Sequence, residues 1–125
     1  MLDRRDEEWN MIYEGSCHCG DIDFSVDANI DSLLECNCSI CSRKGSLLFF
    51  VPRDKLELKT PESAMSTYRF NTKKIGHKFC RTCGCAPFGF GADADGNEVA
   101  AINARCLENI DLSQFPVHHH DGRSS

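Results

Sequence analysis

Nine of the 125 residues are cysteine, and eight of them fall into three tight sets. The sets are Cys17-His18-Cys19-Gly20, then Cys36-Asn37-Cys38-Ser39-Ile40-Cys41, then Cys80-Arg81-Thr82-Cys83-Gly84-Cys85. Nothing else in the chain restricts its folding as strongly. Thiols this close in sequence can converge on one cation, and zinc takes four ligands in a tetrahedron with Zn–S near ~2.3 Å. Three cysteines in one short loop supply three corners and leave the fourth open. A complete set of four holds structure, whereas an incomplete set can bind something that reacts. The pattern therefore predicts one closed and one open zinc site. A disulfide framework is the alternative, and the odd count and the short spacings argue against it.

The N-terminus, Met1-Leu2-Asp3-Arg4-Arg5-Asp6-Glu7-Glu8, is charged with no apolar segment behind it, which is not the pattern of a secretory signal peptide. No apolar run approaches the ~18–20 residues of a membrane span. The expectation is a cytoplasmic protein, where clustered thiols serve metals rather than disulfides. A net charge of −5 counts against a nucleic-acid partner, which calls for a basic patch.

The length fits one domain. Residues 1–10 read as a flexible N-terminal extension carrying the lone Trp9, and 11–125 as the domain. Met11 to Cys17 reads as a strand, and Asp21-Ile22-Asp23-Phe24-Ser25-Val26-Asp27 alternates with period two as a half-buried strand does. The pair should form a hairpin with Cys17 and Cys19 at its tip. Leu33 to Cys36 delivers the central cysteines, Ser39 to Lys44 could make one helical turn, and Gly45 ends it. Ser46 to Val51 is an apolar strand stopped by Pro52, one face of which could roof the open metal loop. Further strands are read at Leu56–Lys59, Ser66–Phe70, Ile75–Cys80 and Glu98–Asn103, with a hairpin loop over 71–74. The run from Ala92 to Asn97 is read as a hairpin turn. It lacks the later acidic ligand of a calcium loop. Helix signals are few, so the fold class is mostly β.

At this point the motifs add up to a family resemblance. The order C-H-C-G, C-N-C-S-I-C-S-R-K-G, Y-R-F-N-T, H-K-F-C-R-T-C-G, N-A-R-C-L and a tail with H-D-G resembles the glutathione-dependent formaldehyde-activating enzymes, a family that also takes in centromere protein V domains. The resemblance covers roughly residues 13–123. It implies a small zinc-stapled domain of the Mss4-like β-tent fold. It implies a structural zinc on Cys17, Cys19, Cys80 and Cys83, and a second, labile zinc on Cys36, Cys38 and Cys41 at the reactive centre. The implied activity is that of a carbon–sulfur lyase, joining or cleaving formaldehyde or a similar small aldehyde and a thiol such as glutathione. The implied partners are those small molecules, with neither nucleic acid nor membrane. The chain is shorter than the better-studied members, which bears on how it would hold glutathione.

His77, three residues before Cys80, could face the open site as a proton shuttle or simply pack. His18, between two ligands, should point away from that metal. His118-His119-His120 fits the position of the family tail. Cys85 is expected to be a buried free thiol, with a substitute fourth ligand as the alternative, and Cys106 a packed cysteine, with a pocket-lining thiol as the alternative. Alternatives to the lyase reading are a non-catalytic zinc-stabilised binding module of the same fold and, more remotely, a thiol enzyme using Cys106.

Overall fold

The structure is a computed structural model that describes residues 11–69 and 75–121. Expectations for the N-terminal extension with Trp9, for Phe70 and the 71–74 loop, and for the tail beyond Asp121 lie outside the described residues.

The chain runs β1 (Met11–Ser16), β2 (Asp23–Ala28), β3 (Leu33–Cys36), α1 (Ser39–Lys44), β4 (Leu48–Pro52), β5 (Leu56–Leu58), β6 (Met65–Tyr68), β7 (Gly76–Cys80), β8 (Phe88–Ala92), β9 (Glu98–Asn103) and β10 (Val117–His120), with short 3-10 turns between. Among the described residues these strands make two sheets. One has the order β1-β2-β5 and the other β10-β3-β4-β9-β8-β7-β6. The mostly-β, single-domain expectation holds.

Burial of alternate side chains explains why these segments pair. In β2, Phe24 and Val26 are buried. They face inward, and the β1–β2 hairpin closes at Ser16↔Asp23. Phe24 meets Phe88 of β8 edge-on, with ring centroids 5.3 Å apart and planes at 86°, so an aromatic pair joins the two sheets. Ile22, Leu33 and Ile102 complete the most deeply buried part of the core. Gly15 allows the close approach at this seam, since a Cβ there would collide with the Phe24 ring and come within 2.9 Å of the Cys106 carbonyl oxygen.

In β4, Phe49 and Val51 enter the core while Leu48 and Phe50 face the other way. The helical turn after the central cysteines forms as expected. Gly45 ends it at φ 68°, returning its N–H to the Cys41 carbonyl.

Two strands go beyond the sequence reading. Phe88 to Ala92 pairs on both sides, with β7 and with β9. Val117 to His120 lies parallel to β3, with His120 in register with Cys36. No described helix is long and apolar enough to cross a membrane.

Candidate metal centres

Two hairpin tips build the first centre. The β1–β2 turn carries Cys17 and Cys19, β7 ends on Cys80, and the turn after it carries Cys83. All four sulfurs lie within 4.8 Å of one another. Cys17 and Cys19 are 3.7 Å apart, and Cys19 and Cys80 are 3.6 Å apart. Four sulfurs held at ~2.3 Å from one zinc in a tetrahedron would stand ~3.8 Å apart, so the spacing suits that ion. Main-chain N–H groups aim at the sulfurs as they would at thiolates. Ile22 donates to Cys17 at 3.3 Å, and Thr82 and Cys83 donate to Cys80 at 3.3 and 3.4 Å.

Those donors separate the thiols electrostatically. N–H groups of Cys85 and Cys19 push the Cys83 thiol down to about 5. Cys80 is also lowered, chiefly by the Cys83 N–H. At Cys19 the Asp21 N–H favours the thiolate, but desolvation and the neighbouring thiols outweigh it and push the group up to about 12. A knot of four sulfurs cannot carry four negative charges unless a cation sits among them. His18 is exposed and stands outside this four-sulfur group.

The second centre is the loop from β3 into α1. Cys36, Cys38 and Cys41 are half-buried, and their sulfurs lie within 4.8 Å of one another. Cys38 occupies the N-cap of α1 and makes no side-chain capping hydrogen bond. Burial raises its thiol, yet the N–H of Cys41, the thiols of Cys41 and Cys36 and the N–H of Ile40 together lower it. Cys41 is pushed up to about 12, by burial first and then by Cys38. The donor set fits zinc here too, with three soft ligands converging from one side.

A cavity of about 340 Å³ opens beside this loop. Cys36, Cys38 and Cys41 line it together with His77 of β7 and His120 of β10. Leu48 and Phe50 form part of its wall, the outward face of β4 that was expected to roof the loop. Burial first, then the Lys44 ammonium, hold the His77 imidazole below its ordinary value.

Side chains of the N-A-R-C-L motif, to which the sequence assigned no contact, fix the loop in place. The Asn103 amide accepts from the Arg105 N–H at 3.1 Å and the Leu47 N–H at 3.4 Å, and donates to the Ala86 carbonyl at 3.2 Å. Arg105 Nε donates to the Gly45 carbonyl at 3.0 Å. The N-A-R-C-L motif thus grips the residues that follow α1. The C-terminal tail grips the other side. The Asn37 N–H donates to the His120 carbonyl at 3.1 Å, Asn37 Nδ2 to Asp121 at 3.0 Å, and His119 stands 2.7 Å from Glu35. The H-D-G tail motif was the only sequence signal for this contact. Cys85 and Cys106 are half-buried, not fully packed away. They line a neighbouring cavity of about 550 Å³. Burial pushes Cys106 up to about 11, so it stays protonated at neutral pH.

Fold and site define a mostly-β domain with two thiol constellations, one of four sulfurs and one of three beside a cavity. Residues 12–120 match the glutathione-dependent formaldehyde-activating enzyme family, and the chain belongs to that family. A crystal structure of a Rhodobacter sphaeroides protein is similar, with TM-score 0.72 and 25% identity over 84% of this chain and 99% of that one.

Proposed function

We propose that this protein is a zinc-dependent carbon–sulfur lyase of the S-(hydroxymethyl)glutathione synthase type, working with two zinc ions in a reducing, cytoplasmic setting. Cys17, Cys19, Cys80 and Cys83 hold the structural ion, and Cys36, Cys38 and Cys41 hold the reactive one. The observation that carries the reading is the single cavity that brings the three-cysteine loop to His77. Bound there, zinc supplies Lewis acidity that favours the thiolate form of an added thiol.

The chain's own residues do the rest. In the joining direction the thiol sulfur forms a bond to the carbonyl carbon. The carbonyl π electrons move to oxygen, and the thiol's proton ends on that oxygen. Cleavage reverses each change. His77, kept neutral by burial, is suited to take the proton and return it. The cavity wall excludes bulk water and orients the two halves, so that much of the gain comes from proximity.

The test is a cobalt-substituted protein titrated with glutathione. Thiolate-to-cobalt charge-transfer bands should grow with added thiol, and Cys38→Ser should lose the response while remaining folded. A folded, fully loaded protein with no spectral change would favour a non-catalytic binding module.

A further inference from the structure

Two cavities meet beside the three-cysteine loop. The one that holds the thiols is walled by Leu34, Leu48, Phe50, Ile75, Phe88 and Ala101. Lys44, Ser46, His77, Asn103 and His120 add polar groups to a surface that is otherwise apolar. The neighbouring cavity shares Lys44 and Asn103 with it and adds Arg105 and Tyr68. Formaldehyde has two heavy atoms and needs little more room than a water molecule, whose share of liquid volume is ~30 Å³. The cavity at the thiols, about 340 Å³, is roughly ten times that and falls within the range of cavities that hold larger ligands. Those six apolar side chains give a charged tripeptide thiol nothing to pair with, and of the residues lining this cavity Lys44 alone carries a fixed positive charge. The tripeptide's carboxylates suit the adjoining side, where Lys44 and Arg105 stand. At the mouth of the apolar cavity, Phe50 and Ile75 are 54% and 51% exposed, which leaves apolar surface for a ligand to cover.

We propose that the carbonyl half of the adduct carries an apolar substituent of several carbons, a chain or a ring, seated in the cavity walled by Leu48, Phe50, Ile75 and Phe88. The inference rests on the thiol–carbonyl reading above and names the carbonyl class within it. The adduct straddles the two cavities. Its acidic thiol half lies toward Lys44 and Arg105, its sulfur at the three cysteines, and its apolar half against β4, β8 and β9. A longer carbonyl compound gains affinity by burying methylenes that formaldehyde lacks, about four-fold for each one fully buried.

S-alkyl glutathiones are stable mimics, because the alkyl group takes the place of the carbonyl carbon and its substituent. Binding of S-methyl, S-propyl, S-butyl and S-hexyl glutathione to the zinc-loaded protein is measured by titration calorimetry. Affinity should climb by about four-fold per methylene until the cavity is full. Ala101→Leu, which fills the cavity from β9, should flatten that climb. Ile75→Asn, at the exposed mouth where folding is least at risk, should lower the slope as well. Zinc content and circular dichroism establish that each variant is folded. Equal affinity from methyl to hexyl, or no binding of any member, overturns the inference. Should the cobalt protein still respond to glutathione in that case, the lyase reading stands and only the carbonyl class is wrong. Absence of the cobalt response refutes the lyase reading itself.

Discussion

Replacing Asn103 by alanine should loosen the three-cysteine loop without touching a sulfur. The amide makes three main-chain hydrogen bonds, with Arg105 N–H at 3.1 Å, Ala86 carbonyl at 3.2 Å and Leu47 N–H at 3.4 Å. The last is long, and a hydrogen bond of that length contributes less than one near 2.9 Å. A typical bond contributes a net ~0.5–1.5 kcal/mol, and a buried group left unpaired costs ~1–3 kcal/mol. Leu47 is buried, so its N–H has little access to replacement water. A loss of about 2–3 kcal/mol is expected on these figures. Urea unfolding of the zinc-loaded protein, at fixed free zinc, measures it directly. Asn103→Asp separates the parts. It keeps both accepting contacts, but it loses the donor to Ala86 and sets a charge against that carbonyl. It should therefore cost less at the Leu47 end and release the Ala86 end. Amide exchange at Leu47 should speed up in the alanine variant and much less in the aspartate. An alanine variant within about 0.5 kcal/mol of the parent would refute the claim that this amide pins the loop.

Gly15→Ala should destabilise by about 1–3 kcal/mol, because its Cβ must displace the fully buried Phe24 ring; an unchanged thermal melt would show that the seam has slack. Cys17→Ser or Cys80→Ser should abolish the folded state, since metal affinity at such a site is folding free energy of ~10 kcal/mol or more. Native circular dichroism with undiminished zinc in either variant would remove that residue from the structural centre. The His77 imidazole should titrate below its ordinary 6.5, as burial and then Lys44 dictate. Folding gains nothing from this group above pH 6.5. As pH falls below that value the unfolded chain takes the proton first and stability drops, until the folded form protonates too. An NMR titration giving 6.5 or higher for His77 would contradict that environment.

Much of this fold is written in local pattern. The alternation around Phe24 and Val26 and the Gly45 stop after Lys44 each follow from the period or the backbone needs of a few adjacent residues. β8 was hidden because Gly89 and Gly91 carry no strand preference of their own. Gly89 sits where a Cβ would come within 3.3 Å of the Gly76 carbonyl, so the close pairing of β7 and β8 needs it. β10 was hidden for a different reason. Val117 to His120 are all exposed, so they show no alternation, and backbone pairing with β3 holds them. The sulfurs were legible because ligand chemistry demands thiols at short spacing. The cavity beside them was not, because β4, β7, β8, β9 and β10 each contribute a wall residue from a distant part of the chain. Asn103 and Arg105 were visible as a motif, but their grip on residues 45–47 appears only once β9 pairs with β4.

The central claim is that the two sulfur groups hold two ions of unequal purpose. Metal content of the purified chain, measured by plasma mass spectrometry beside circular dichroism, tests it most directly when the parent is compared with Cys38→Ser. Two zinc ions in the parent, and one in a Cys38→Ser protein that keeps its native spectrum, is the predicted result. A parent with a single zinc ion, or a Cys38→Ser protein that loses its fold along with its metal, would contradict it.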